Sequence, residues 1–219
     1  MSEPAPTAAA EAAAASTVRG DEPPAPALLT EKQLARRQRV IDAGLELLES
    51  RDYDRIQVKD VAERAGVALG TLYHYFSSKE HLFAEILVQW AATLRTNITR
   101  HPLRGSTPAD RLTESLQRSV RAFERQPQLA KLVVTLETSS DPFAAEILHR
   151  LQATTRGIYL ELLNGVEPAH ADAIVHVTDA VLDAGLRTWV AGRIPITEVS
   201  DRLTDAVGLL FHGVDGADS

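Results

Sequence analysis

The 219-residue chain has no cysteine. That removes disulfides and thiolate metal sites, and it fits a reducing cytoplasm. No apolar run approaches the roughly 18 residues that a membrane-spanning helix needs. The Ala-rich start carries acids where a secretory signal would carry a basic stretch, so it does not read as one. There is no His-Glu-x-x-His pair, no Gly-x-Ser-x-Gly turn and no Gly-rich loop to cradle phosphate. His176, Asp179 and Asp183 recur about one turn apart on one helix, but a metal centre needs three or more converging ligands, and a solvated or interface face is the simpler reading. The expectation is therefore no enzyme, no metal and no cofactor. Positive charge is not in excess either. The net charge is −7, divided as −3 over residues 1–29, zero over residues 30–80 and −4 over residues 81–219. An acidic whole still permits contact with nucleic acid, because the neutral segment can gather its positive groups on one face. Lys32, Arg36, Arg37 and Arg39 cluster ahead of the first apolar run.

What the chain does have is helical periodicity. Met1 to Leu29, dominated by Ala, Pro and acids, reads as an irregular tail, with at most a transient helix over Ala9–Ala15. Thr30 can cap a helix whose apolar face is Val40, Ile41, Leu45, Leu47 and Leu48, ending near Ser50. Ser77-Ser78 precedes a long helix with Leu82, Phe83, Ile86, Leu87, Trp90 and Leu94 at three- and four-residue steps. Thr107-Pro108 and Asp141-Pro142 are caps followed by Pro at the first helical position. Pro127 and Pro168 open further helices. Gly165 and Gly192 close two, and Thr197 is expected to cap the last. The reading is all-α, nine helices with no strand, and residues 213–219 form a short tail.

The stretch Val58–Phe76 organises the rest. Val58, Val61, Ala62 and Ala65 give one helix a buried face. Gly66 can take the left-handed turn that ends it. A second short helix follows over Ala68–Tyr75, anchored by Val67 and Leu72. Two short helices on a tight glycine turn make a helix-turn-helix unit. The outer face of the second helix carries Ala68, Gly70, Thr71, Tyr73 and His74, which are short or flat enough to approach base edges and phosphates. Lys59 and Lys79 flank it as phosphate contacts. Gln57 can reach a phosphate or base edge, and Arg37 and Arg39 are candidates on the first helix.

Residues 36–80 resemble the DNA-binding domain of the TetR family of transcriptional repressors. The resemblance rests on Arg39–Leu45, Val58–Ala62, Ala65-Gly66-Val67, Gly70–Phe76 and Ser78–Leu82, in order and at the family's spacings. It departs from the pattern at Gln57, often Thr, and at His74, often Arg, Trp or Tyr. Thr107-Pro108, Arg111-Leu112, Asp179, Trp189 and Val199–Leu203 look like the KstR type, repressors of sterol catabolism. The resemblance implies a DNA-binding domain over 30–80 with its motif at 57–76, then a ligand-binding and dimerisation domain over 81–212. It implies a homodimer through the last two helices, a pseudo-palindromic operator on double-stranded DNA, and release by a small lipophilic effector, sterol- or acyl-CoA-derived. Ala180, Ala184, Gly185, Ala206 and Gly208 would allow close helix approach, within the chain or to a second copy. The effector pocket is expected among Trp90, Phe123, Thr135, Leu136, Glu137, Phe143, His149, Tyr159, Leu186 and Trp189, an aromatic and aliphatic set with a few polar groups. A helical lipid-binding protein, and an activator or ligand-independent regulator, are the alternatives.

Overall fold

The computed structural model describes residues 23–215, and the stretch Ala9–Ala15 and residues 216–219 lie outside the described residues. Among the described residues there are nine α-helices and no strand. They are α1 Glu31–Ser50, α2 Val58–Ala65, α3 Leu69–Tyr75, α4 Lys79–Arg100, α5 Pro108–Arg125, α6 Pro127–Glu137, α7 Pro142–Leu162, α8 Pro168–Val190 and α9 Ile196–Asp215.

Local chemistry sets most of the boundaries. Thr30 caps α1 reciprocally: its hydroxyl accepts from Gln33 N–H at 3.4 Å, and Gln33 Oε1 accepts from Thr30 N–H at 2.9 Å. The same device at α5 joins Thr107 and Asp110, with both bonds at 3.1 Å. Asp141 Oδ1 accepts from Ala144 N–H at 2.8 Å to start α7. Ser78 Oγ accepts from His81 N–H at 2.8 Å to start α4. Gly66, at φ 64° and ψ 39°, ends α2 in the left-handed region. The turn is closed by Val67 N–H on Ala62 O at 3.0 Å and Gly66 N–H on Glu63 O at 3.1 Å.

Three sequence expectations are corrected. An irregular tail is expected to run to Leu29, yet Pro26–Leu28 forms a 3-10 turn and Leu29 packs on the core. Thr197 is not the cap of α9. The helix already begins at Ile196, and Pro195 O accepts from Glu198 N–H at 3.2 Å. Gly185 does not lie open for a second copy. A Cβ there would sit 2.7 Å from Val199 Cγ1, so the glycine lets α8 and α9 cross closely within the chain.

The buried apolar residues form two clusters. One holds α1 to α4 together and continues without a break through Phe123, Leu129, Leu132, Leu136, Ile147 and Leu186. The other holds α5, the end of α7, α8 and α9, centred on Leu112, Leu116, Ile174, Val199 and Leu203. Leu182 and Trp189 touch both. The long helix α4 joins head to body: Leu82, Phe83 and Ile86 are fully buried in the first cluster, while its later turns face α7 and α6. None of the described helices is long and apolar enough to cross a membrane.

Candidate nucleic-acid interface and internal cavity

Helix α3 is held from beneath by Leu72, Tyr75 and the following Phe76, all buried. That spacing forces Gly70, Tyr73 and His74 outward, with Ala68 exposed at the start and Thr71 half-buried. Tyr73 is 48% exposed, high for a side chain that buries readily. Leu69, 43% exposed beside it, also belongs to this surface; nothing polar marks it in the sequence. Gln57 and Lys59 stand exposed at the start of α2, and Arg39 is exposed on α1. Lys32, Arg36, Arg39 and Lys59 have no ion-pair partner among the described residues, whereas Arg51, Arg55 and Arg64 are matched to Asp60, Asp52 and Glu46. The free positive charge of this neutral segment therefore lies on α1 and α2.

Two candidates turn inward. Arg37 Nη2 pairs with Glu85 at 2.8 Å, and its guanidinium lies 4.9 Å from the Phe76 ring centre. It clamps α1 to α4 over the end of the recognition helix, so it is not a free phosphate contact. Lys79 Nζ donates to Tyr53 O at 2.8 Å and sits 4.0 Å over the Tyr53 ring. Burial lowers the ammonium's pKa, against the opposing pull of Asp54 and Glu80. Here Lys79 braces the head rather than reaching outward.

The junction between head and body is aromatic. His81 is buried, its ring edge against Phe76 at 5.6 Å and stacked on Phe143 at 5.2 Å and 13°. Burial holds the imidazole below its ordinary pKa, and Ser77 bonds its Nδ1. Phe143 opens α7, so one stack links the recognition helix to a helix of the body.

That body holds a partly open cavity of about 520 Å³ between α4, α5, α6, α7 and α8. Six expected residues line it: Trp90, Phe123, Glu137, His149, Tyr159 and Leu186. Trp90 and Phe123 meet at 5.0 Å. Burial pushes the Tyr159 phenol up to about 12. Four others are displaced. Thr135 is turned back on Lys131 O at 2.8 Å, and Leu136 is core packing. Phe143 is spent on His81, and Trp189 packs where the two clusters meet. Helical period places a residue on a buried face without saying whether that face meets a cavity or another helix.

The acids of α8 depart from expectation in the other direction. Asp179 and Asp183 line the cavity half-buried, and His176 lines it at its exposed edge. Burial, then the charge of Asp183, pushes the Asp179 carboxyl up to about 6. Burial also raises Asp183, and Glu137 is raised by burial and by Asp183 although Arg187 pairs with it at 2.8 Å. The signal in the sequence is the one-turn spacing of these residues, which a surface stripe would share. No metal-holding group of these residue types forms among the described residues.

Residues 40–86 match the bacterial regulatory proteins of the tetR family, and residues 105–210 match the tetracyclin repressor-like C-terminal domain. The chain is 33% identical to the HTH-type transcriptional repressor KstR of Mycolicibacterium smegmatis, over 83% of this chain and 90% of that protein. It is 31% identical to KstR of Mycobacterium tuberculosis, over 86% of each. In fold it resembles the crystal structure of a TetR transcriptional regulator from Rhodococcus sp. RHA1, with a TM-score of 0.72 and 26% identity over 82% of this chain and 97% of that one.

Proposed function

The chain belongs to the TetR family of bacterial transcriptional regulators, in its KstR-like branch, and from that premise we propose that it is a homodimeric repressor released from its operator by a lipophilic effector. Its relatives are named as repressors, not as enzymes. The reading divides the chain into a DNA-binding head over 30–80 and an effector-binding and dimerising body over 81–212. The observation that carries it is the course of α4. Its first turns are buried with α1 to α3, and its Leu87, Trp90 and Leu94 line the cavity. A molecule that fills the cavity pushes on the same rigid element that holds the recognition helix.

In this account Tyr73, Thr71, Gly70, Ala68 and His74 enter a major groove, while Gln57, Lys59 and Arg39 meet the backbone. A second copy packs on α8 and α9. The outer faces of these helices leave Val177 37% and Leu209 77% exposed, with Ala184 small enough for close approach and Ala180 at the edge of the cavity. Dimer symmetry then sets two half-sites about 34–36 Å apart, one helical turn, on one face of the duplex. The effector acts by favouring the conformation in which the heads are wrongly spaced, so operator and effector weaken each other by the same factor. Selection of genomic fragments by the purified protein, with footprinting of those retained, tests the proposal. It is supported by one inverted repeat recurring among a few promoters. Protection of unrelated sequences with no shared repeat sinks it.

A further inference from the structure

The chemistry of the cavity wall says more about the effector than its size does. Most of the wall is apolar: Trp90, Phe123, Leu148 and Leu186 bracket it. Its charge is concentrated at the α8 side. There Asp179 and Asp183 have neither a hydrogen bond nor an ion pair among the described residues. The nearby guanidiniums are bonded elsewhere, and the pull of Arg156 and His176 on Asp179, and of Arg187 on Asp183, is outweighed by burial. Arg187 is bonded to Glu137 at 2.8 Å, and Arg156, itself in the wall, to Asp172 at 2.7 Å. An ionised carboxylate is an acceptor only. Partly withdrawn from water and without a protein donor, it is improved by any ligand that brings one, and worsened by a second anion.

Resting on the effector cavity proposed above, we propose that the effector is a lipophile one end of which donates hydrogen bonds, a hydroxyl or a protonated amine set on Asp179 and Asp183, and that the site rejects an anion at that end. The raised carboxyl of Asp179 agrees with this: its charge is poorly compensated by the protein alone. If the natural effector carries an anion, that group lies at the end of the molecule away from Asp179 and Asp183.

The test uses three probes of one chain length, dodecan-1-ol, dodecylamine and dodecanoate, titrated below their aggregation limits into the full-length protein by calorimetry. Parent protein is expected to bind the alcohol and the amine about tenfold or more tightly than dodecanoate. Asp179→Asn with Asp183→Asn should erase that ratio, weakening the amine and admitting dodecanoate. Dodecanoate binding as well as the others to the parent, or a ratio that survives the double substitution, overturns the inference and leaves the cavity reading standing. Sedimentation of the double variant settles one further case: a changed assembly with an unchanged ratio assigns the acids to a subunit interface, which also overturns it. Ala91→Phe, which fills the wall from α4, separates the two claims. If all three probes bind this variant as they bind the parent, they lie elsewhere, and the cavity reading itself fails.

Discussion

The outward placement of Tyr73 and Lys59 was legible because outward residues on a short helix follow from inward ones: once Leu72 and Phe76 are core beside the one, and Val61 and Ala62 beside the other, each has one place to go. Lys79 and Arg37 were not, because sequence reports a charge without its direction, and both cations lie over aromatic rings of the head. The pair Lys59 and Lys79 therefore makes a contrast. Lys59→Ala should weaken all duplexes about equally and reduce the slope of log affinity against log salt by about 1. Lys79→Ala should leave that slope nearly unchanged and cost about 1 kcal/mol of stability, read from denaturant unfolding, through the lost bond to Tyr53 O. Asp179 behaves opposite to an ordinary paired carboxylate. Its folded pKa, about 6, stands above its ordinary 3.8, so the native state holds the proton more tightly and stability falls as pH rises between those values. Asp179→Asn is expected to stabilise the protein by about 1 kcal/mol at pH 7.5, after allowance for solvent screening, and by almost nothing at pH 4. Thermal melts at the two pH values check it; a variant less stable at pH 7.5 would mean that the carboxylate is structurally satisfied.

Among elements, boundaries were read well where a side chain does the capping. Thr30, Thr107 and Asp141 each accept a backbone bond within their own first turn, so local sequence suffices. Thr197 misled because a Thr one residue inside a helix looks the same in sequence as one at its cap. Gly185 misled for a different reason. Its small size serves a helix crossing in either reading, and only the position of Val199 decides which. Gly185→Val should cost about 1–3 kcal/mol through overpacking at that crossing, with no loss in a second-copy contact. Measured by chemical unfolding at two protein concentrations, the loss should be the same at both. The stack of Phe143 on His81 is the element-scale joint between head and body, and in the proposed repressor it carries the coupling of effector to operator. Phe143→Ala should leave effector and operator each able to bind, while the factor by which one weakens the other shrinks towards unity. That is read from operator titrations with and without saturating effector; an unchanged factor would route the coupling through α4 alone.

For the molecule as a whole, helix number, helix order and the helix-turn-helix were all available from periodicity and caps, because each is local. The cavity was half available. Its aromatic wall came from the same apolar period as the core, and its acids were hidden by looking like a surface stripe. What connects the two halves, an apolar cluster running from Val40 to Leu186 with α4 as its spine, involves pairs of residues far apart in sequence, which no local pattern encodes. The central claim is that this one body reads DNA sequence through α3. The most direct measurement is equilibrium binding of the selected repeat and a scrambled duplex by the parent and by Tyr73→Ala, across about 50–200 mM salt. The account predicts that the parent prefers the repeat by about a thousandfold or more, and that Tyr73→Ala loses about tenfold or more on the repeat while keeping its assembly and its scrambled-duplex affinity. Equal affinity of the parent for both duplexes, or a Tyr73→Ala variant indistinguishable from it on the repeat, would contradict the account.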